Sequence, residues 1–160
     1  MRVVLVVNAH LSRSDTRGPG RVGYLMARGL HDRGCLGRVL CYTTDASVDL
    51  PERLIVRLEP HIIRRAFGLG YRISRYLPTL PIRRMEEQIF DSRASRCLMR
   101  EWGDTLFCTK PVNPGTILRA KRLGMLTVMS TSILHPRFNL EIVKSEQERL
   151  GVRGASVYTD

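Results

Sequence analysis

Three glycines near the start of the chain have the spacing of a phosphate-binding loop. Gly18, Gly20 and Gly23 match the pattern G-x-G-x-x-G at the point where a helical pattern begins, and we name residues 18–23 the glycine loop. Backbone N–H groups and the dipole at a helix N-terminus can bind a phosphate or another anion. Asp45 follows the second predicted strand, where a dinucleotide fold places its ribose-binding acid. The spacing therefore predicts an anion site.

A purely structural interpretation of the same glycines stays open. A dinucleotide fingerprint follows its strand directly, whereas here about ten polar residues separate Val7 from Gly18. Pro19 also stiffens the turn. In this interpretation, the glycines only allow the loop to turn and the helix to start.

Two histidines lie where open α/β sheets bind ligands. His135 follows the last predicted strand and His10 follows the first, so both are expected at the carboxyl edge of the sheet. Lys110 follows another strand, and Arg137 beside His135 can pair with a phosphate. We expect His10, Gly18 to Gly20, the Lys110 loop and His135 to line one crevice. The alternative for His135 is an ordinary loop residue or helix cap.

Other kinds of site lack the residues that they need. The four histidines and four cysteines have no metal-ligand spacing, so no metal is expected. All four cysteines, Cys35, Cys41, Cys97 and Cys108, are predicted to be buried thiols of a reducing compartment, and Cys41 and Cys108 fall within apolar strands. The sequence contains no paired carboxylates, serine elbow or P-loop. This segment alone offers no complete catalytic apparatus.

The elements that must position these residues alternate between strand and helix. Apolar runs predict strands at 3–7, 38–42, 54–58, 105–109 and 126–129. Helical periodicity predicts helices that begin at 21, 82, 114 and 136. Asn113, Pro114 and Gly124 suit the N-cap, first position and C′ position of one of them. The predicted fold is a doubly wound, mostly parallel Rossmann-like α/β sheet in one domain, 1–151, with an unfinished tail at 152–160.

The same periodicity predicts which side chains face the core. In the first helix these are Val22, Leu25, Met26 and Leu30. In the later helices they are Ile82, Met85, Ile89, Phe90, Leu98, Met99, Ile117, Leu118 and Leu123. The strand at 126–129 is predicted to be buried on both faces.

The charge of the chain favours anionic partners. The net charge is +11, and only Lys110, Lys121 and Lys144 among the 26 basic residues are lysines. Such a balance suits nucleic acid, phosphate-bearing small molecules or an acidic membrane surface. Codon usage in a GC-rich genome is an alternative cause of the arginine content. With 6% aromatic residues and no recognition motif, no nucleic acid is expected as a partner.

One basic segment, 61–77, is amphipathic at helical spacing. Its expected membrane-facing residues are Arg64, Arg65, Arg72 and Arg75. A helix of this composition can lie on anionic lipid, and the alternative is a solvated helix with its other face on the core. No apolar run approaches the roughly 18 residues of a membrane span. The expected location is cytoplasmic, with peripheral association at the inner face of the membrane as a further hypothesis.

Several stretches carry the motifs of a known family. Residues 25–34 are similar to L-A-x-x-L-x-x-x-G, residues 89–93 contain an F-D pair, and residues 119–124 read RAKRLG. The segment 132–137 and the EQERLG of 146–151 are similar to a subgroup's S-x-H and E-x-E-R-L-G motifs. Over nearly the whole chain these stretches resemble the N-terminal domain of family 4 glycosyltransferases, retaining nucleotide-sugar enzymes with two facing Rossmann-like domains (the GT-B architecture).

The resemblance implies roles for individual residues. It implies that His135 is catalytic and approaches the transferred sugar. It also implies donor-phosphate or acceptor contacts for Gly18, Gly20, Arg21, His10, Lys110, Ser132 and Arg137. The family's C-terminal domain, which binds the nucleotide sugar through a glutamate pair at E-x7-E spacing, is missing from this chain.

The resulting hypothesis is the acceptor-side domain of a retaining hexosyltransferase. Its substrates would be a nucleotide sugar and a lipid-linked or polysaccharide acceptor, with no covalently bound cofactor. Alone, the segment is expected to have little or no activity, because it needs the C-terminal domain in cis or in trans. The alternatives are a small NAD-type nucleotide-binding domain that uses the glycine loop and Asp45, and a basic nucleic-acid-binding module.

Overall fold

The fold is described by a computed structural model for most of the chain. The described residues are 1–14, 18–58, 69–70, 72, 81–110, 112–130, 145 and 148. The chain divides into two compact units, Met1–Ser130 and Thr131–Asp160, and every element below belongs to the first. Most of the predicted helix that begins at 136, most of the segment 61–77 and the whole tail at 152–160 lie outside the described residues.

Strands and helices occur close to where the apolar runs and breakers place them. The strands are β1 (Val3–Val7), β2 (Leu36–Cys41), β3 (Ile55–Arg57), β4 (Thr105–Cys108) and β5 (Leu126–Met129). The helices are α1 (Pro19–Asp32), α2 (Ile82–Cys97) and α3 (Pro114–Arg122). Short 3₁₀ turns precede β3 and β4 at Glu52–Leu54 and Arg100–Trp102. Gly34 and Gly124, which follow α1 and α3, have φ angles of 66° and 68°, the left-handed conformation of a glycine that ends a helix.

The five strands form one parallel sheet. Its order is β3-β2-β1-β4-β5, and every neighbouring pair is parallel. β1 is central, with Val3 beside both Leu36 of β2 and Thr105 of β4. The strand order reverses between β1 and β4, which is the topological switch point of a doubly wound sheet. The predicted Rossmann-like α/β fold is confirmed.

A separate apolar core covers each face of the sheet. Alternate residues of β1 point to opposite faces, so Leu5 and Val7 pack with α1, whereas Val4 and Val6 pack with α2 and α3. On the second face the helices contribute buried side chains at Phe90, Ala94 and Ala120. Helices on both faces explain why β1 is apolar at every position.

The predicted core face of α1 is partly wrong. The helix begins at Pro19, two residues earlier than expected, and Val22 and Leu25 are exposed. The residues that it buries are Gly20, Gly23, Tyr24 and Ala27. Gly23 is the reason, because a Cβ atom there would lie 2.5 Å from the Val7 side chain. The helix therefore approaches the sheet through its glycines, with Tyr24 buried beside them, and Val22 and Leu25 turn outwards.

Two other helices differ from the prediction in the same way. Met85 is exposed because it lies nine residues before Ala94, which is half a turn away around α2. Met99 follows the helix and is also exposed. Leu118 is 56% exposed because α3 buries Thr116 and Ala120 instead.

β5 is not the buried strand that the sequence predicts. It pairs with β4 on one side and is the edge strand of the described sheet. Leu126 is 62% exposed and Met129 is also exposed. An apolar run does not distinguish an edge strand from a central one. The run at 126–129 therefore predicted a strand correctly but predicted its burial wrongly.

Candidate functional site

The floor of the switch point is a pair of buried amides. Asn8 follows β1, Asn113 precedes α3, and both side chains are buried. The Asn8 amide donates to Asn113 Oδ1 at 2.9 Å, and the Asn113 amide donates to Asn8 Oδ1 at 2.7 Å. Asn113 is the predicted N-cap residue of α3, but its side chain makes no capping bond because it is engaged with Asn8. The pair fixes the ends of the two elements that meet at the crevice.

A carboxylate from the neighbouring helix closes the N-terminus of α3. Asp91 of α2 accepts hydrogen bonds from the backbone N–H groups of Gly115 and Thr116, both at 2.8 Å, and from the Thr116 hydroxyl at 2.6 Å. Its side chain is buried. Free N–H groups and the positive end of the helix dipole make a helix N-terminus suitable for anions. At α3, the Asp91 carboxylate already accepts two of these N–H groups and places its negative charge at the positive end of the dipole. The start of α3 is therefore not available to an anionic ligand.

The N-terminus of α1 differs from that of α3. Its N-cap residue, Gly18, has φ 151° and ψ 170° and offers no side chain as a cap. The first turn, which is fully described, carries no acidic residue. Between these two helices, α1 is thus the one whose N-terminus suits an anion.

The glycine loop packs directly against the end of β1. A Cβ atom on Gly20 would collide with the carbonyl oxygen of His10, so only glycine fits at that position. Together with the Gly23 contact described above, this shows that the glycine pattern has a packing role. Anion binding by the same loop stays a prediction.

His10 lies at the carboxyl edge, where the sequence predicts it. Its Nδ1 atom is hydrogen-bonded to the Thr43 hydroxyl just beyond β2, and its side chain is exposed. The Leu11 N–H donates to the Thr43 carbonyl at 2.8 Å, so the loop after β1 runs along the loop after β2. The ring of His10 lies 6.5 Å from that of Tyr42, between centroids. The structure therefore brings His10 and the glycine loop together.

The remaining predicted site residues are distributed as follows. Arg21 donates from Nη1 to the Arg13 carbonyl at 2.9 Å, which holds its guanidinium over the loop after β1. Lys110 is half-buried two residues beyond β4, at the same sheet edge. Arg72 is exposed. The other predicted residues lie outside the described part of the chain: Ser132, His135, Arg137, Arg64, Arg65 and Arg75.

Asp45 is already saturated by hydrogen-bond donors. Its carboxylate accepts from the Ser47 N–H at 2.8 Å, from the Ser47 hydroxyl and from the Ser14 hydroxyl at 3.5 Å. A hydrogen bond from Ser12 is the largest of the causes that lower the pKa of Asp45. These donors match the roughly four acceptor positions of a carboxylate. A ribose hydroxyl would have to displace a serine, which weakens the NAD-type alternative.

A second carboxylate anchors the loop after β2 to α1. Asp49 accepts a 2.6 Å hydrogen bond from the Tyr24 hydroxyl and pairs with Arg28 at 3.0 Å and Arg13 at 3.6 Å. The Tyr24 hydrogen bond, followed by the arginine charges, lowers the pKa of Asp49. These ion pairs neutralise part of the arginine charge near the crevice.

Metal and thiol chemistry have no support in the part of the chain that the structure describes. There, no three or more His, Cys, Asp or Glu side chains are grouped so that they could hold a metal ion. All four cysteines are free, and Cys41 and Cys108 are buried as predicted. Cys35 and Cys97 are only partly buried, because Cys35 precedes β2 and Cys97 is the last residue of α2. Burial raises the pKa of Cys41 and Cys108 to about 12. Among the described helices, none has the length and apolar character needed to cross a membrane.

Comparison of the chain with protein-family models, with curated proteins and with solved structures finds no match. The class of protein is therefore defined only by the fold and by the geometry at the carboxyl edge of the sheet. The chain is a doubly wound α/β protein whose candidate ligand crevice lies at the β1–β4 switch point. A glycine-lined helix N-terminus borders that crevice on one side.

Proposed function

We propose that this chain is the N-terminal, acceptor-side domain of a retaining glycosyltransferase. It would act on a nucleotide-sugar donor and a lipid-linked or polysaccharide acceptor, and it would need a donor-binding domain for turnover. The observation that carries the proposal is the contact between the glycine loop and the backbone of His10 at the switch point. That contact places an anion-suited helix start beside an exposed imidazole.

The electrostatics of the crevice support a phosphate-bearing substrate. Asp91 blocks the start of α3, so a phosphate entering from the switch point would meet the first N–H groups of α1. The net charge of +11 would also attract a doubly charged donor or an anionic acceptor.

The described family-like stretches have structural positions in this fold. Residues 25–34 form the second half of α1 and its terminating glycine. The F-D pair of 89–93 lies within α2 and supplies a core phenylalanine and the α3 cap. Residues 119–124 end α3. These stretches support a likeness of fold, and the catalytic role proposed for His135 rests on the resemblance alone.

The test is a transfer assay on the whole reading frame that contains this chain. Membrane-lipid extract is incubated with a panel of radiolabelled nucleotide sugars, and sugar incorporation is measured. His135→Ala should lower the rate about a hundredfold or more, which is typical of the loss of an acid–base group. The matched control is His31→Ala, because His31 lies at the far end of α1. Absence of transfer from every donor, or full activity of the His135 variant, would refute the proposal.

Cofactor titration separates the proposal from the NAD-type alternative. Binding of NAD without any response to nucleotide sugars would favour the alternative. Substitution of Asp45 by Ala should then abolish NAD binding, whereas it should leave sugar transfer largely unchanged.

The proposed membrane association has its own experiment. Vesicles with and without anionic lipid are sedimented with the protein, and a variant with glutamate at positions 64, 65, 72 and 75 should bind anionic vesicles poorly. The control changes four exposed arginines elsewhere to glutamate, namely Arg83, Arg84, Arg96 and Arg100. Equal loss in both variants would show an effect of net charge alone, and binding that ignores lipid charge would refute the association.

A further inference from the structure

One face of the sheet is only half covered in the described part of the chain. α1 packs on the β1 and β2 side of this face, and beside it a groove of about 510 Å³ runs over β4 and β5. No other described helix lines the groove. Its volume falls within the roughly 300–1,000 Å³ typical of small-ligand sites.

The walls of the groove are apolar. Leu25 and Leu30 of α1 form one side, and Phe107, Leu126 and Val128 of the sheet form the other. Leu25 is 54% exposed and Leu126 is 62% exposed, so an apolar ligand would remove both from water. Isolated exposed leucines are common, but here two of them line one concave apolar surface, which favours a binding site.

Among the described residues that line the groove, Arg33 has the only cationic side chain. It donates a 3.0 Å hydrogen bond to the Gly29 carbonyl, and it has no ion pair within the described residues. Arg28, five residues earlier, is instead paired with Asp32 and Asp49. The remaining N–H groups of Arg33 can therefore bind an anion at the end of the groove.

The strand register sets the direction of the groove. Val3, Thr105 and Leu126 form a row at the amino edge of the sheet, and Phe107 and Val128 form the next row inwards on the same face. A helix between parallel strands runs back across the sheet, so Arg33, which follows α1, lies near the outer row. Leu25 lies eight residues earlier, about 12 Å along the helix axis at 1.5 Å per residue.

We propose that this groove binds a single aliphatic chain with an anionic head group, the chemistry of a fatty acid. The head would pair with Arg33, and the chain would lie along α1 over Phe107 and Val128. A second copy of the protein is a poorer occupant, because two chains that each carry +11 repel one another. The groove opens at the amino edge of the sheet, opposite the switch-point crevice, so the proposal does not depend on transferase activity.

The experiment is a fluorescence titration with dansyl undecanoic acid, whose emission shifts to the blue in an apolar site. We expect saturable binding of one probe per chain and displacement by dodecanoate. Dodecylamine has the same chain and the opposite charge, and it should displace the probe about tenfold less well. No saturable binding, or equal displacement by the amine, would overturn the proposal.

Variants locate the site. Leu25→Asp and Leu126→Asp should each abolish probe binding, whereas Leu118→Asp should not, because Leu118 is equally exposed but lies on the opposite face of the sheet. Arg33→Glu should remove the preference for dodecanoate over dodecylamine, and Arg84→Glu should preserve it. Circular dichroism confirms that each variant is folded. Equal effects of target and control variants, or a dimer that Leu126→Asp dissociates, would overturn the proposal.

Discussion

The Asp91 cap is the interaction whose removal should cost the most stability for the fewest atoms lost. Asp91→Ala deletes the acceptor of two backbone N–H groups and one hydroxyl, in a position that water reaches poorly. Loss of a cap and of charge-assisted hydrogen bonds in such a place should lower the free energy of unfolding by about 3 kcal/mol. For a chain of this size, that corresponds to a fall in Tm of about 6–12 °C.

Urea denaturation followed by far-UV circular dichroism measures the effect. Asp91→Asn should lose about 2 kcal/mol, because its amide nitrogen would face one of the donors that the carboxylate now accepts. Asp104→Ala is the control, since Asp104 also accepts a backbone N–H, from Arg2, but is partly exposed, and we expect a loss below about 1 kcal/mol. If Asp91→Ala is no more destabilising than this control, the carboxylate does not stabilise the start of α3 and the reasoning is refuted.

Three further predictions concern the crevice and the core. Gly20→Val should unfold the chain or shift the start of α1, because its Cβ meets a backbone carbonyl; a thermal melt like that of the wild type would contradict this. Asn8→Ala and Asn113→Ala should each cost about 2 kcal/mol, and the double variant should cost less than their sum, as a denaturation cycle would show. Cys41 and Cys108 should resist iodoacetamide until guanidinium unfolds the chain, measured by mass spectrometry. Because burial raises their pKa from about 9 to about 12, unfolded thiols ionise first and stability should fall across that pH interval.

The order of elements could be predicted from the sequence because each one carries a local signal. The apolar run of β1, the Pro114 that opens α3 and the glycines that end two helices all act within a few residues of their own position. The parallel sheet then follows from the helices that connect the strands. None of these signals depends on a distant partner.

Which faces are buried could not be predicted in the same way. A count of large apolar residues assigns Val22 and Leu25 to the core, yet α1 approaches the sheet through Gly23. The distance between α1 and the sheet at Gly23 is set by the side chain of Val7, which belongs to β1 and not to the helix. Small residues at helical spacing were the missed signal, because they allow the closest packing.

The candidate site was predictable only in part. The rule that ligands bind at the carboxyl edge places His10 and the glycine loop correctly at one end of the sheet. The amide pair and the Asp91 cap were missed, because Asn8 and Asn113 are 105 residues apart and Asp91 and Gly115 are 24 residues apart. A signal for Asp91 did exist, since an acid between Phe90 and Ala94 lies on the buried side of α2 and needs hydrogen-bond donors.

The central position of β1 also sets an order of assembly. The contact of His10 with Thr43 closes a loop of 33 residues, whereas the contact of Asn8 with Asn113 closes one of 105. The longer closure costs about 1 kcal/mol more in chain entropy. During synthesis, β1 and β2 can pair well before β4 leaves the ribosome. Until β4 docks, the edge of β1 that faces away from β2 has no strand partner. Docking of β4 onto that edge is therefore expected to limit the folding rate.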